Sequence, residues 1–523
     1  MIRTSLAALG LLAALAAGAR AQGGEQYTFR MILGRDTLSS EVVQRAPDFA
    51  HVDLVDKSTG VRWVMSMSLG PDGRVPAIHN AIYRLSQGDT VPFQTADLAF
   101  AGDSVTARIG GNVSRTEHLA TRAGALPYIN PSFAMIEQVL LRARAMRGAA
   151  DTVPLFMVSG GQTIPATVQW LGADSAIVTI GGAAIHAAVG RDGSLLGAAI
   201  PAQHVIVVRE NGAHPLVSRP INYGAPAGAP YTAEDVSVHT PQELTLTGTL
   251  TLPTVRHGRV PAVVTITGSG TQDRDERISI VEGYRPFWQI ADTLARRGIA
   301  TLRLDDRGMN GSSAGPANAT SADYANDIRA ALAYLRTRPE IDGSRLGLVG
   351  HSEGGMIAPM VAATDPGLKG IVLLAGPAYT GRRILAYQQR NAVDNARSLM
   401  PAARARALAE SDSATKALAE KSAWLRYFMD YDPLATARKV RVPVLILQGE
   451  TDQQVTPEQA DTLAAAFRAG GDRDVTVRKF PATDHLFLAD SVGDPSRYPI
   501  LPSRTVRPEV LGAVADWLVA HLR

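Results

Sequence analysis

The run Gly350-His351-Ser352-Glu353-Gly354-Gly355 follows the short apolar stretch Leu346 to Val349 and leads into Met356-Ile357-Ala358. A serine set between strand and helix, with a glycine two residues to either side, is the pattern of a nucleophile elbow. The tight turn imposes strained angles on the serine and brings neighbouring main chain so close that a Cβ at either glycine would clash. The hydroxyl is thereby lifted clear of the sheet, where it can attack an electrophilic carbon. In a chain with 48 glycines the motif alone also reads as a plain strand-to-helix turn, so the flanking strand and helix carry the chemical reading.

A nucleophilic serine needs a base, and on sheets of this kind the acid and then the histidine follow it in the chain. Of the 11 histidines only His485 and His521 lie beyond Ser352. His521 sits at the end of the amphipathic stretch Val510 to Leu522 and reads as a helix-end residue. His485 follows the apolar alternation of Val475, Val477 and Phe480, so it opens a loop at the carboxyl end of a strand, where open α/β sheets hold catalytic groups. For the acid, Val442 to Gly449 is a continuous apolar run suited to a strand buried on both faces, and it empties into Glu450-Thr451-Asp452. Either carboxylate could orient an imidazole. Asp452 is preferred over Glu450 because it lies farther along the loop, where the chain must swing towards the histidine. Asp484, beside His485, reads as a loop or capping carboxylate. In these roles His485 takes the serine proton and returns it to the leaving group, while Asp452 fixes the tautomer and stabilises the imidazolium. An oxyanion hole completes the set. The buried-strand run Pro261 to Thr267 ends in Gly268-Ser269-Gly270, where the amide of Ser269 would join the amide of Glu353, the residue after the nucleophile.

The run Gly268-Ser269-Gly270-Thr271-Gln272-Asp273-Arg274-Asp275-Glu276, taken with Gly350 to Gly355, is similar to bacterial acyl esterases of the dienelactone-hydrolase-like group in the α/β-hydrolase superfamily. The resemblance covers about residues 234–523. It implies hydrolysis of carboxylic esters with no metal and no organic cofactor. Many relatives carry His before the oxyanion glycine where this chain has Thr267; the backbone donors are unaffected, but loop support would differ. Asp305 to Ser312 also resembles the family's loop after the next strand, and its expected role is structural, with Arg307 paired to a carboxylate that pins the loop.

The elements that must position these groups fit an α/β class, with a doubly wound, mostly parallel sheet. From Asp323 to Arg336 the residues Tyr324, Ile328, Ala331, Leu332 and Leu335 fall on one helical face, between strands at Leu302–Leu304 and Leu346–Val349. Leu244 to Thr251 alternates strictly and predicts a half-exposed antiparallel edge strand. After Ile371 to Ala375 the next strand waits until Val442, and the interval predicts an inserted helical cap over about 378–436. Its aromatic residues include Trp424 and Phe428, expected to wall the substrate pocket, against the plainer reading that they pack the cap onto the body.

The 523 residues exceed what one core usually serves, and 46% hydrophobic with 19% charged residues is ordinary for a soluble globular chain. A formal charge of +3 and the lack of a basic stripe with interleaved aromatics argue against nucleic acid as a partner and leave a small-molecule ester as the expected one. Met1-Ile2-Arg3, the apolar Leu6 to Ala17 and the small-residue site Ala19-Arg20-Ala21 predict a signal peptide over 1–21, hence export to periplasm or medium, with an uncleaved anchor as the alternative. No other stretch is suited to cross a membrane. With no cysteine, disulfides and cysteine-ligated metals are excluded. Residues 25–211 read as a separate β-rich domain of unassigned role. Its strands are expected at Tyr27–Leu33, Val61–Leu69, Ser104–Ile109, Ile164–Trp170, Ala176–Ile180 and His204–Val208, with one helix over Pro131–Met146. Asp72-Gly73 and Asp192-Gly193 predict hairpin turns, and the halves flanking the helix hint at an internal repeat. A linker is expected over 212–233. The expected function is an exported serine carboxylesterase. The alternatives are a serine peptidase resembling the prolyl-oligopeptidase group, for whose propeller the amino-terminal region is too short, and an inactive binding protein of the same fold.

Overall fold

The computed structural model describes residues 24–34, 36–85, 91–111, 114–146, 150–216, 221–278, 281, 283–316, 318–395 and 401–523, so the expected signal peptide lies outside the described residues. The chain divides into two compact units, Met1–Arg219 and Pro220–Arg523.

In the first unit fifteen strands among the described residues form one sheet. Eight run outwards in chain order from Glu25–Leu33 to Arg115–Ala120, and seven return from Leu126–Tyr128 to Val205–Asn211, which pairs antiparallel with Glu25–Leu33. Two of the strands that sequence patterning misses depart from apolar alternation. Asp36–Arg45 buries Ser39, Ser40 and Glu41, and Arg115–Ala120 is largely exposed. The helix Phe133–Met146 between the two halves is apolar on most of its surface, as a helix lying against a sheet must be. Its first turn is held by Glu41, whose carboxylate accepts from the amides of Phe133 (2.6 Å) and Ala134 (3.0 Å) and from Ser132 Oγ. Burial pushes the Glu41 carboxyl up to about 7. The two Gly-x-Asp-Gly turns share one hydrogen-bond pattern. Gly70 N donates to Arg74 O and Gly73 N to Gly70 O; Gly190 N donates to Ser194 O and Gly193 N to Gly190 O. Both also press on the helix, since a Cβ at Gly73 would meet the Arg142 backbone and one at Gly193 the Leu141 side chain.

Near the start of the second unit Tyr223 is anchored to the loop after the third strand. Its hydroxyl donates to Asp273 at 3.1 Å and its ring lies under Arg274 at 4.5 Å, which anchors the stretch Asn222–Pro230 that composition alone reads as loose. Eight strands follow: β1 (Tyr231–His239), β2 (Thr245–Pro253), β3 (Val260–Ile266), β4 (Ala300–Leu304), β5 (Ile341–His351), β6 (Gly370–Leu374), β7 (Val444–Gly449) and β8 (Val475–Phe480). They lie in the order β1-β2-β4-β3-β5-β6-β7-β8; β2 is antiparallel to both its neighbours and every other pair from β4 onwards is parallel. The expected half-exposed edge strand at Leu244–Thr251 is corrected on two counts. β1 covers its outer side and takes the edge, and β2 is buried along most of its length.

Five helices flank the sheet: α1 (Pro286–Ala295), α2 (Ser321–Thr337), α3 (Glu353–Ala362), α8 (Glu458–Ala469) and α9 (Pro508–His521). They are divided between the two faces because the strands are apolar on both. Val264, Leu348 and Ile446 pack with Leu332, Ile357 and Leu463 on one side; Val263, Val349 and Leu445 pack with Phe287, Leu294 and Leu518 on the other. Between β6 and β7 the chain runs instead through α4 (Gly381–Asn395), α5 (Pro401–Lys421), α6 (Ala423–Asp430) and α7 (Pro433–Ala437).

Candidate active site

At the end of β5 the chain turns into α3 through Ser352, whose φ of 52° and ψ of −117° are strained for a residue with a side chain. The turn closes only because of its glycines. A Cβ at Gly350 would collide with the Gly354 carbonyl, one at Gly354 with the Ile266 carbonyl, and one at Gly355 would stand 2.7 Å from Gly376 Cα. The Ser352 amide donates to Leu374 O of β6 at 2.8 Å, which fixes the elbow to the neighbouring strand.

The loops after β7 and β8 bring Asp452 and His485 together, with His485 Nδ1 2.8 Å from Asp452 Oδ2. Both side chains are buried. The Asp452 carboxylate is saturated: Gln448 Nε2 donates to the same oxygen at 2.9 Å, and the amides of Gln454 and Val455 donate to the other at 2.7 and 3.0 Å. Such a carboxylate is locked in place by its four donors. Glu450 is exposed, and its amide continues the backbone pairing to Phe480 O. Asp484 accepts from the Leu488 amide at 2.8 Å and points its other oxygen at no partner; burial pushes its carboxyl up to about 7. His521, on α9, bonds to Trp517 O of the same helix and to Asp474, just before β8.

Beyond β3, the position of a Cβ on Gly268 would fall 3.3 Å from Ser352 Cβ, so the Gly268-Ser269-Gly270 turn borders the nucleophile. The Gly268 amide is given to Glu276 Oε1 at 2.6 Å, so it is engaged within the loop. The turn is braced by charge. Arg274 binds Asp305 through Nε (3.1 Å) and Nη2 (2.6 Å), Asp275 is paired with both Arg285 and Arg303, and Arg307 makes a two-pronged pair with Asp327 at 2.6 and 2.8 Å. Thr267, standing where many relatives have His, donates its hydroxyl to Asp306 at 3.0 Å. Desolvation, with the carboxylates of Glu276 and Glu353 adding to it, raises the Asp306 carboxyl far above its usual range.

The Glu353 side chain accepts from Ser321 Oγ at 2.6 Å and from the Trp424 indole N–H at 2.9 Å. Trp424 in turn stacks on Phe428, with centroids 5.6 Å apart. Phe428 is only 8% exposed, and a Cβ on Gly381 would overlap its ring. Phe428 thus packs α6 against the start of α4. Two residues without an expected role stand out. His351 Nδ1 lies 2.9 Å from Glu276 Oε1 and its Nε2 2.9 Å from the His485 carbonyl. The available signal was a titratable residue next to the nucleophile. Among the described residues no group of three or more His, Cys, Asp or Glu is arranged to hold a metal ion, and no helix is long and apolar enough to cross a membrane.

A family model described as serine aminopeptidase S33 matches residues 280–491. Among curated relatives, esterase EstD of Thermotoga maritima is 26% identical over 287 residues, 52% of this chain, and the uncharacterized peptidase YuxL of Bacillus subtilis is 26% identical over 44% of it. The chain spans 65% of the esterase's length and 31% of the peptidase's. An esterase structure from Pyrococcus furiosus aligns with 58% of this chain and 97% of its own at 15% identity and a TM-score of 0.41. The family match over residues 280–491 and the strand order agree on an α/β-hydrolase fold for the second unit.

Proposed function

We propose that the chain is a serine esterase that hydrolyses carboxylic esters through an acyl-enzyme on Ser352. The observation that carries the reading is the strained Ser352 at the elbow, together with the buried His485–Asp452 pair on neighbouring loops. With Nδ1 engaged by Asp452, the base atom is His485 Nε2. It takes the Ser352 proton as Oγ attacks the ester carbonyl, and the charge on the carbonyl oxygen is met by the amides of Ser269 and Glu353. The imidazolium then protonates the leaving alcohol, and water repeats the sequence to free the acid. Trp424, tied to Glu353, supplies one wall of the acyl or alcohol pocket, and α4 to α7 form the cap. The segment 1–21 supports export as the setting.

The second reading is a peptidase, favoured by the S33 description of the matched family and by the YuxL relative. Turnover of short p-nitrophenyl esters against aminoacyl-proline anilides decides between them. Esters cleaved far faster support the esterase; anilides cleaved comparably or faster assign the site to peptides.

A further inference from the structure

We propose that His351 is held as a doubly protonated imidazolium by Glu276 and acts as a positioning residue that ties the His485 loop to the oxyanion strand. The proposal rests on the serine hydrolase reading above. Both ring nitrogens face acceptors. Nε2 lies 2.9 Å from a main-chain carbonyl, which has only lone pairs to offer, so this nitrogen must carry a hydrogen. Nδ1 lies 2.9 Å from Glu276 Oε1, an oxygen that already accepts the Gly268 amide at 2.6 Å. A hydrogen on Nδ1 satisfies that contact, and two hydrogens make the ring a cation.

The surroundings fit a buried cation. His351 is 5% exposed. The charged or titratable groups facing it are Glu276 on the loop after β3, Asp452 on the loop after β7, and His485 on the loop after β8, whose ring centroid lies 4.9 Å away; Phe487 closes the remaining side at 6.1 Å. Glu276 itself sits near the Tyr284 hydroxyl and Asp306. Burial, the largest single influence, lowers the pKa of His351, but the Glu276 carboxylate, the His485 carbonyl and Asp452 together outweigh it and raise it.

One charged pair therefore touches three parts of the site. Glu276 draws back the Gly268 amide, His351 holds the main chain of His485, and the residue after His351 is the nucleophile. Because the folded-state pKa is raised, the proton is present below it and lost as pH rises through it. Loss would turn an Nδ1 lone pair towards a carboxylate and loosen the His485 anchor, so turnover should fall on the alkaline side. Weakening the counter-charge should bring that fall to lower pH.

The test is the pH profile of kcat and KM for the full chain and for Glu276→Gln on a short p-nitrophenyl ester, with Ser352→Ala as background. The expected result is an alkaline fall in kcat moved down by about one pH unit or more, with KM little changed. A uniform loss at every pH, or no loss, overturns the proposal. Should Glu276→Gln fail to fold, nitrogen NMR of the wild-type chain with isotope-labelled histidine, His351 being identified through its disappearance in His351→Gln, gives the answer. Two protonated nitrogens at neutral pH support the proposal, and an unprotonated Nδ1 overturns it. Labelling of wild-type Ser352 by a fluorophosphonate separates the two readings. Its failure would sink the esterase assignment, while the NMR result would still decide the charge on His351.

Discussion

Both units bury carboxylates, and they use them differently. In the first unit Glu41 takes the opening turn of the Phe133–Met146 helix, and Glu137 takes the Leu195 amide and Arg209, each at 2.9 Å, with the Tyr27 hydroxyl on its other oxygen. Every partner is scaffold. In the second unit Asp275, Asp305 and Asp327 likewise bind framework arginines, but Asp452 holds His485, Glu276 holds Gly268 and His351, and Glu353 holds Trp424, so these three acids each touch a residue of the candidate site. A buried carboxylate is therefore no sign of function until its partners are known.

The contrast is broken most severely at the triad. Ser352→Ala and His485→Ala should each lower kcat on an ester by on the order of 10³ or more, with the double variant little worse, because the residues act as one unit. Asp452→Asn should cost a comparable factor, on the order of 10³, by losing the tautomer control, while exposed Glu450→Gln stays near wild type. Crippling by Glu450→Gln would move the acid to that residue.

In the first unit the expected loss is in folding alone. Glu137→Gln leaves Arg209 short of its partner and should destabilise that unit by about 3 to 5 kcal/mol in denaturant unfolding, with ester turnover unchanged. A fall in kcat under native conditions would show that the first unit serves the site. Inside the catalytic unit, Phe428→Ala should cost about 3 to 5 kcal/mol of stability without changing the preference among ester chain lengths. Trp424→Ala should shift that preference. If the two variants behave alike in a series of acyl esters, the wall assigned to Trp424 lies elsewhere.

Most of the site was legible because motif and strand end coincide. The glycines around Ser352, the apolar run before Asp452 and the alternation before His485 each state a backbone geometry that the sheet then supplies. What could not be read was contact made through space. Glu276 and His351 are 75 residues apart, and nothing local links them. The packing of Phe428 against Gly381, 47 positions earlier and without a side chain, is equally invisible in the local sequence. Of the nine strands in the first unit that patterning misses, Asp36–Arg45 is hidden by its buried polar Ser39, Ser40 and Glu41, whereas others, such as Phe49–Asp56 with Ala50, Val52 and Leu54 buried, do alternate. The alternating pattern fails where hydrogen bonds, not apolar contact, satisfy the inner face.

The smallest expected effect on turnover is at Asp484, the buried acid beside His485 whose second oxygen has no partner. Its carboxyl, raised from 3.8 to about 7, keeps its proton in the folded chain while the unfolded chain sheds it, so stability should decline as pH rises from about 4 to about 7. Asp484→Asn should flatten that part of the melting-temperature profile and leave kcat close to wild type. An unchanged profile would place the titration on another group.

The covalent step is the heart of the account. Rapid quenching of the full chain with a p-nitrophenyl ester, followed by intact-mass and peptide mass spectrometry, should find one acyl group, on Ser352, in the wild type and none in Ser352→Ala. Turnover with no acylated Ser352 at any quench time, or an acyl group lodged on a different residue that tracks turnover, would contradict it.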